Sequence, residues 1–246
     1  MEGRSMRAHH LRLKRVTRLG LFILVGVGMS ACSDTVSWKE EVLLHDGSKI
    51  IVTRTQSYGG QHEVVQSAPI SEHTITFTLP SSNKSLSFKS EYSEDVGRAN
   101  FNLLALHVLN GTPYIVAEPN LCLAYNKWGR PNPPYVLFKY DGKAWQRIQL
   151  AEFPAELKTI NLIVNNGREE DIEMAARKSG YVLAEGVREI NRSLPQPEYK
   201  TILREALPKE RINEICEPMV HYKCGWFGTN PDGTLNKEFA DRMCNK

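Results

Sequence analysis

A short stretch of alternating sequence decides the fold: His73-Thr74-Ile75-Thr76-Phe77-Thr78-Leu79. Its three large apolar side chains fall on one face of an extended chain, and its three threonines fall on the other. This period of two predicts a β-strand with one buried and one solvated face, which is typical of antiparallel sheets. Turn residues follow over Pro80–Asn83, and Ser85–Lys89 alternates again, so the two segments predict a hairpin.

Three further hairpins are predicted on either side of this one. Each has two apolar or alternating segments flanking a dipeptide that ends in glycine, a strong short-range turn signal. The dipeptides are Asp46-Gly47, Asn110-Gly111 and Asp141-Gly142. Their strands are expected at Trp38–His45 and Lys49–Thr55, at Phe101–Leu109 and Tyr114–Ala117, and at Tyr135–Tyr140 and Ala144–Leu150. Successive hairpins predict an antiparallel β meander, closed as a barrel or folded into a sandwich.

After Phe153 the apolar period becomes that of helices. The residues from Ile172 to Ile190 predict one helix, or two shorter ones because glycines interrupt the pattern. Pro197–Leu207 predicts another helix, which Pro208 would end. The expected fold class is therefore α+β: an antiparallel β meander, barrel- or sandwich-like, with C-terminal helices packed on it.

The N-terminus has the organisation of an export signal. Residues 1–31 carry six cations and one anion, and an uncharged run from Leu19 to Ser33 follows the last cation, Arg18. Fifteen uncharged residues are short for a bilayer span, which needs roughly 20, but they match the apolar region of a signal peptide. Without residues 1–31 the chain keeps 25 cations and 27 anions. The formal charge of +3 therefore offers no support for binding nucleic acid.

The export signal ends in Met29-Ser30-Ala31-Cys32, which resembles the lipobox of bacterial lipoproteins. The resemblance implies that Cys32 receives a diacylglycerol, that residues 1–31 are cleaved, and that the new amino group is acylated. Two or three chains give stable attachment, whereas one chain holds only reversibly. In that family, Asp directly after the Cys is associated with retention in the inner membrane. Ser33 stands there instead, so the resemblance implies an outer-membrane anchor facing the periplasm.

The domain organisation expected from these features is simple. Residues 1–31 form the cleaved signal peptide, and 32–37 form a lipidated tether. Residues 38–246 form one α+β domain, which is mainly β over 38–150, mainly helical over 151–215 and a Cys-bearing tail over 216–246. Neither a linker nor an internal repeat in the sequence indicates a second domain.

Four cysteines remain after Cys32, and an even number in an exported chain predicts disulfides. They are Cys122, Cys216, Cys224 and Cys244. The favoured pairing is Cys122–Cys216 with Cys224–Cys244, because it ties the helical half to the β half and closes the Gly-, Asn- and Pro-rich tail. The local pair Cys216–Cys224 stays open as an alternative. A zinc site that adds His221 is a third interpretation, although its ligand spacing is wider than usual.

One loop has the composition of a binding surface. The stretch Tyr125-Asn126-Lys127-Trp128-Gly129-Arg130-Pro131-Asn132-Pro133-Pro134-Tyr135 combines two cations with rigid aromatic residues. Trp128, Arg130 and Tyr135 are therefore candidate interaction residues. The alternative, which we favour, is that Trp128 plugs one end of the β structure.

The runs Trp38–Gly47 and Asn126–Tyr135 are similar to segments of uncharacterised proteobacterial lipoproteins, and the resemblance extends from Cys32 to about residue 205. It implies no activity. No catalytic, phosphate-binding or dinucleotide motif is present in the sequence. We therefore expect a non-enzymatic binding or scaffolding lipoprotein, without a cofactor beyond the acyl chains on Cys32. Its expected partners are membrane lipid and an envelope protein. The alternatives are a β-barrel-like carrier of a small apolar ligand and an envelope hydrolase without a recognisable motif.

Overall fold

The computed structural model describes residues 35–63, 65–90, 92–164 and 168–245. Cys32 and the export signal lie outside these residues. The described residues form one compact unit. Its strands are β1 (Thr35–Leu43), β2 (Lys49–Tyr58), β3 (Ile70–Thr78), β4 (Ser85–Ser90), β5 (Tyr92–Ser93), β6 (Arg98–Ala99), β7 (Phe101–Leu109), β8 (Thr112–Pro119), β9 (Val136–Tyr140), β10 (Trp145–Ile148), β11 (Met219–Tyr222) and β12 (Gly225–Gly228). Its helices are α1 (Leu121–Lys127), α2 (Glu169–Ala176), α3 (Ala184–Arg192), α4 (Lys209–Ile215) and α5 (Lys237–Cys244).

Two four-stranded antiparallel meanders form the body. The first sheet has the order β1-β2-β3-β4, and the second has the order β10-β9-β8-β7. All four predicted hairpins are present, and the prediction of an α+β fold with a β meander is confirmed. At the β7–β8 turn, Asn110 and Gly111 have φ angles of 50° and 75°, which a tight two-residue hairpin requires.

The main hydrophobic core lies where the two sheets meet. Ile75 and Phe88 from the first sheet pack into the same cluster as Phe101, Ile115 and Phe138 from the second. The ring centroids of Phe88 and Phe138 are 4.9 Å apart. Aromatic and aliphatic side chains thus fill the interior between the sheets, as in a β-sandwich.

The two sheets differ in what covers their outer faces. The second sheet is buried on both, because Leu104, Val116 and Leu137 pack outward against Leu157 and Ile202. This explains why β7 is almost continuously apolar, whereas the first sheet alternates. At the edge of the first sheet, Val182 exchanges backbone hydrogen bonds with β1. In the chain, α2 precedes Val182 and α3 follows it.

The prediction of a helix over Pro197–Leu207 is wrong. A single 3-10 turn, Pro197–Tyr199, begins the segment, and the rest is irregular. Its backbone finds partners outside itself: the Ile202 amide donates to the Lys158 carbonyl, and the Leu203 amide donates to the Tyr135 hydroxyl. Pro208 does not end a helix but precedes α4 as its N-cap. Tertiary hydrogen bonds have thus overridden the helical period.

Candidate functional site

The four described cysteines form two disulfides, Cys122–Cys216 and Cys224–Cys244. These are the pairs favoured from the sequence. The first joins α1 to the end of α4, and the second joins the β11–β12 turn to the end of α5. The cysteines of the zinc interpretation are thereby used in disulfides. Within the described ranges, no group of three or more His, Cys, Asp or Glu side chains is arranged to hold a metal ion.

The three candidate interaction residues, Trp128, Arg130 and Tyr135, line one pocket of about 330 Å³, but each also has a partner within the protein. The first part of their loop is helical, because α1 runs to Lys127. Trp128 is half-buried against Phe101, with a centroid separation of 4.5 Å, and its indole nitrogen donates to Asn100 Oδ1 at 3.2 Å. The Arg130 guanidinium lies over the Tyr125 ring.

Tyr135 is buried, and its hydroxyl lies 3.0 Å from the backbone oxygen of Glu198 and 3.1 Å from that of Thr201. Its hydroxyl is therefore engaged in holding the chain after Pro197. Trp128 closes the end of the core near Phe101, which is the position that a plug would occupy.

A separate pocket of about 510 Å³ lies where segments from both sheets meet the C-terminal half. The lining side chains come from six parts of the chain: Tyr58, Pro69, Ile70, Arg98, Asn102, Glu118, Pro119, Asn120, Leu121, Tyr199 and Ile215. Pockets of this size suit a small ligand, and a mixed apolar and polar lining is usual for such sites. We refer to it as the Glu118 pocket.

The strand register places Glu118 in this pocket. Glu118 lies near the end of β8, directly opposite Asn102 in β7. The Asn102 side-chain amide donates to Glu118 Oε1 at 3.1 Å. Only 8% of the Glu118 surface is exposed to solvent. A carboxyl group is thus held near the end of β8, on the face where Tyr114 and Val116 pack into the outer cluster.

Burial raises the pKa of Glu118 from 4.5 to about 7. Hydrogen bonds from the Tyr199 hydroxyl and the Asn102 amide act in the opposite direction, and the nearby negative charge of Glu198 adds to the increase. Near neutral pH, the Glu118 carboxyl therefore exists in both its protonated and its ionised form.

Tyr199 reaches Glu118 from the 3-10 turn Pro197–Tyr199. Burial, followed by the charge of Glu118 and the hydrogen bond to it, raises the pKa of Tyr199, so this hydroxyl stays protonated as a donor. The adjacent Glu198 is buried and pairs with Arg211 of α4 at 3.0 Å. On this side of the pocket, the Arg211 cation therefore pairs with Glu198 rather than with Glu118.

Arg98 contributes the positive charge of the pocket lining. It lies in β6 and is half-buried. Among the described residues, neither Arg98 nor Glu118 takes part in an ion pair with another side chain. The pocket thus contains a basic and an acidic side chain, and neither has an oppositely charged partner among the described residues.

A second buried charge behaves differently. Glu40 and Arg54 are paired at 3.0 Å with almost no exposed surface, and the Trp38 indole also donates to Glu40 at 2.8 Å. The charges of this pair satisfy each other inside the protein. The comparison shows what is unusual about Glu118: it is buried as well, but no ion pair with a cation is found for it among the described residues.

Sequence reasoning missed the Glu118 pocket. The pocket residues are spread from Tyr58 to Ile215, and their spacing follows no motif. One signal was available, since Glu118 is the single carboxylate between Phe101 and Pro119 and shares a strand face with Tyr114 and Val116. A charged residue in register with buried ones points to a functional position or a buried pair.

In the described part of the chain, no helix combines the length and apolar character needed to cross a membrane. Comparison of the chain with protein-family models, with curated proteins and with solved structures found no match.

Proposed function

We propose that this protein is a lipid-anchored binding protein of the bacterial cell envelope, which holds a small ligand in the Glu118 pocket. The lipobox-like sequence ending in Cys32 supports the anchor, and Ser33 after it supports the outer membrane as the location. The observation that carries the binding function is a buried carboxyl that has no cationic partner among the described residues and lies in a pocket of about 510 Å³. A buried carboxylate without a counter-ion lowers the stability of the free protein, and a ligand that supplies a positive charge would offset this cost.

A carrier with an apolar ligand inside a barrel is less well supported. The space between the two sheets is occupied by core side chains such as Phe88, Phe101 and Phe138. The pocket is instead at the junction with the C-terminal half, and polar groups contribute to its lining.

A hydrolase is the second candidate, and one observation favours it. A carboxyl with a pKa of about 7 is suited to act as a general acid at neutral pH. Among the described lining residues there is neither a second carboxylate nor a Ser or Cys nucleophile. Binding without chemistry therefore fits the lining better.

The test is to identify small molecules that the full chain retains when it is purified from the bacterial envelope. Ile70→Trp should fill the pocket and abolish retention. Ile51→Trp, on the next strand and 42% exposed, is the matched control and should retain the compound. Equal retention by both variants would contradict the pocket as the site, and turnover of the retained compound by the protein would favour the hydrolase.

A further inference from the structure

The Glu118 pocket contains two opposite charges, and each lacks a counter-ion among the described residues. Among the described residues, the Glu118 carboxyl accepts a hydrogen bond from the neutral Asn102 amide and has the neutral Tyr199 hydroxyl beside it. The ionised carboxylate is therefore poorly compensated inside the protein, and an ammonium group from a ligand would supply the missing charge.

No described side chain around Glu118 forms an ion pair with it. Arg211 of α4 is engaged by Glu198 and Glu214. The Tyr58 hydroxyl donates to Glu169 of α2, and Tyr135 is bound to backbone oxygen atoms. Glu198 adds a second negative charge on the same side as Glu118. The field at this end of the pocket thus favours a positively charged group.

Arg98, in contrast, favours a negatively charged group of the ligand. Arg98 lines the same pocket from β6, and a guanidinium binds a carboxylate through two parallel hydrogen bonds. Apolar side chains complete the lining, namely Ile70, Leu121 and Ile215. The apolar part of the lining therefore suits a short aliphatic side chain.

From this arrangement we infer that the ligand is a small zwitterion, an apolar amino acid or short peptide, whose ammonium group pairs with Glu118 and whose carboxylate pairs with Arg98. This inference rests on the proposed binding function and specifies its ligand class. The volume of about 510 Å³ accommodates a ligand of this size.

The test is calorimetric titration of the full-length chain in detergent with L-leucine and leucyl-leucine. Each is compared with its N-acetylated form, which lacks the cation, and its C-terminal amide, which lacks the anion. At least one zwitterion should bind, and each blocked form should bind about tenfold or more weakly, because each loses a charge-assisted hydrogen bond.

Two variants assign the charges. Glu118→Gln should remove the preference for the free ammonium group but keep the preference for the carboxylate, and Arg98→Met should do the reverse. Glu173→Gln, on the exposed face of α2, is the control and should bind like the parent. Equal binding of blocked and unblocked probes by the parent, or binding of neither zwitterion, would overturn the inference.

The two tests distinguish a failure of the zwitterion inference from a failure of the proposed binding function. If the compound retained by the parent but lost in Ile70→Trp lacks an ammonium or a carboxylate group, the binding function stands and the zwitterion inference is wrong. If no compound is retained and no probe binds, both are wrong.

Discussion

Asn102 and Glu118 lie directly opposite each other in the β7–β8 ladder, and the Asn102 amide donates to the Glu118 carboxyl at 3.1 Å. A cross-strand pair of this kind fixes the position of the carboxyl group without supplying a charge to balance it. The end of β8 therefore holds a carboxyl group that is well oriented but has no charged partner among the described residues. Burial and hydrogen-bonding geometry lead to specific expectations for stability and binding.

Glu118 should make the free protein less stable as the pH rises. Its pKa is raised from 4.5 to about 7 on folding, so the folded state binds more protons than the unfolded state between these values. The contribution of Glu118 is thus fully present below pH 4.5 and is lost as the pH rises through 7. Above pH 7, Glu118→Gln should be more stable than the parent by roughly 2–4 kcal/mol.

The measurement is urea denaturation of residues 33–246 from pH 5 to pH 8, without ligand. Glu173→Gln is the control, because that side chain is exposed, and its difference from the parent should stay within about 0.5 kcal/mol. A Glu118→Gln variant that is less stable than the parent at pH 8 would show that the carboxylate is stabilising.

Trp128→Ala should destabilise the fold. The indole packs on Phe101, hydrogen-bonds to Asn100 and lies under the Arg147 guanidinium. Truncation of a fully buried Trp costs about 3–5 kcal/mol, and because Trp128 is half-buried we expect about 2–4 kcal/mol. Met174→Ala, at a side chain that is 61% exposed, should have little effect in the same denaturant series. A Trp128→Ala variant that unfolds like the parent would instead make this loop a binding surface.

Loss of the Cys122–Cys216 disulfide should cost more stability than loss of Cys224–Cys244. The first closes a loop with a sequence separation of 94, and the second closes one of 20. Chain-entropy estimates for such loops are about 4–5 and about 3 kcal/mol. The paired Cys→Ser variants should be compared with the parent by denaturation. Thiol titration of the denatured, unreduced 33–246 parent should find no free thiol, and four free thiols would contradict both bonds.

Cys32→Ser should abolish lipidation and leave an unprocessed precursor, since Cys32 is the cysteine that follows the apolar run of the signal. Labelling with a clickable fatty acid measures this directly. Ser33→Ala is the control and should remain labelled in the outer membrane, whereas Ser33→Asp should move the labelled protein to the inner membrane. Undiminished label in Cys32→Ser would disprove the lipobox.

The eight strands of the two four-stranded sheets could be predicted because each carries its own signal. A period of two in His73–Leu79 and a turn such as Asn110-Gly111 are local properties, and local hydrogen bonding realises them. The shorter helices were missed because their stability is not local. Helices α1 and α4 have seven residues each and meet through the Cys122–Cys216 bond and the buried Ile212. Two turns of helix are too short to show a period.

The Glu118 pocket could not be predicted, because it exists only after the chain has folded. Asn102 and Glu118 are brought opposite each other by the β7–β8 register, which a hairpin prediction contains in principle. Tyr199 arrives from a segment whose predicted helix does not form, and Arg98 arrives from a two-residue strand. Whether Glu118 and Arg98 form ion pairs depends on how these distant segments pack, and not on the residues next to them in the sequence.

The most direct measurement is a carbon-13 NMR titration of the Glu118 side-chain carboxyl, with and without saturating leucine or leucyl-leucine. In the free protein the pKa should be about 7, because the carboxylate is buried without a cation. In the complex it should fall to or below the ordinary value of 4.5, because the ligand ammonium group stabilises the ionised form. A free-protein pKa near 4.5, or a value of about 7 that the ligand does not change, would contradict the role of Glu118 as the cation-binding group of this pocket.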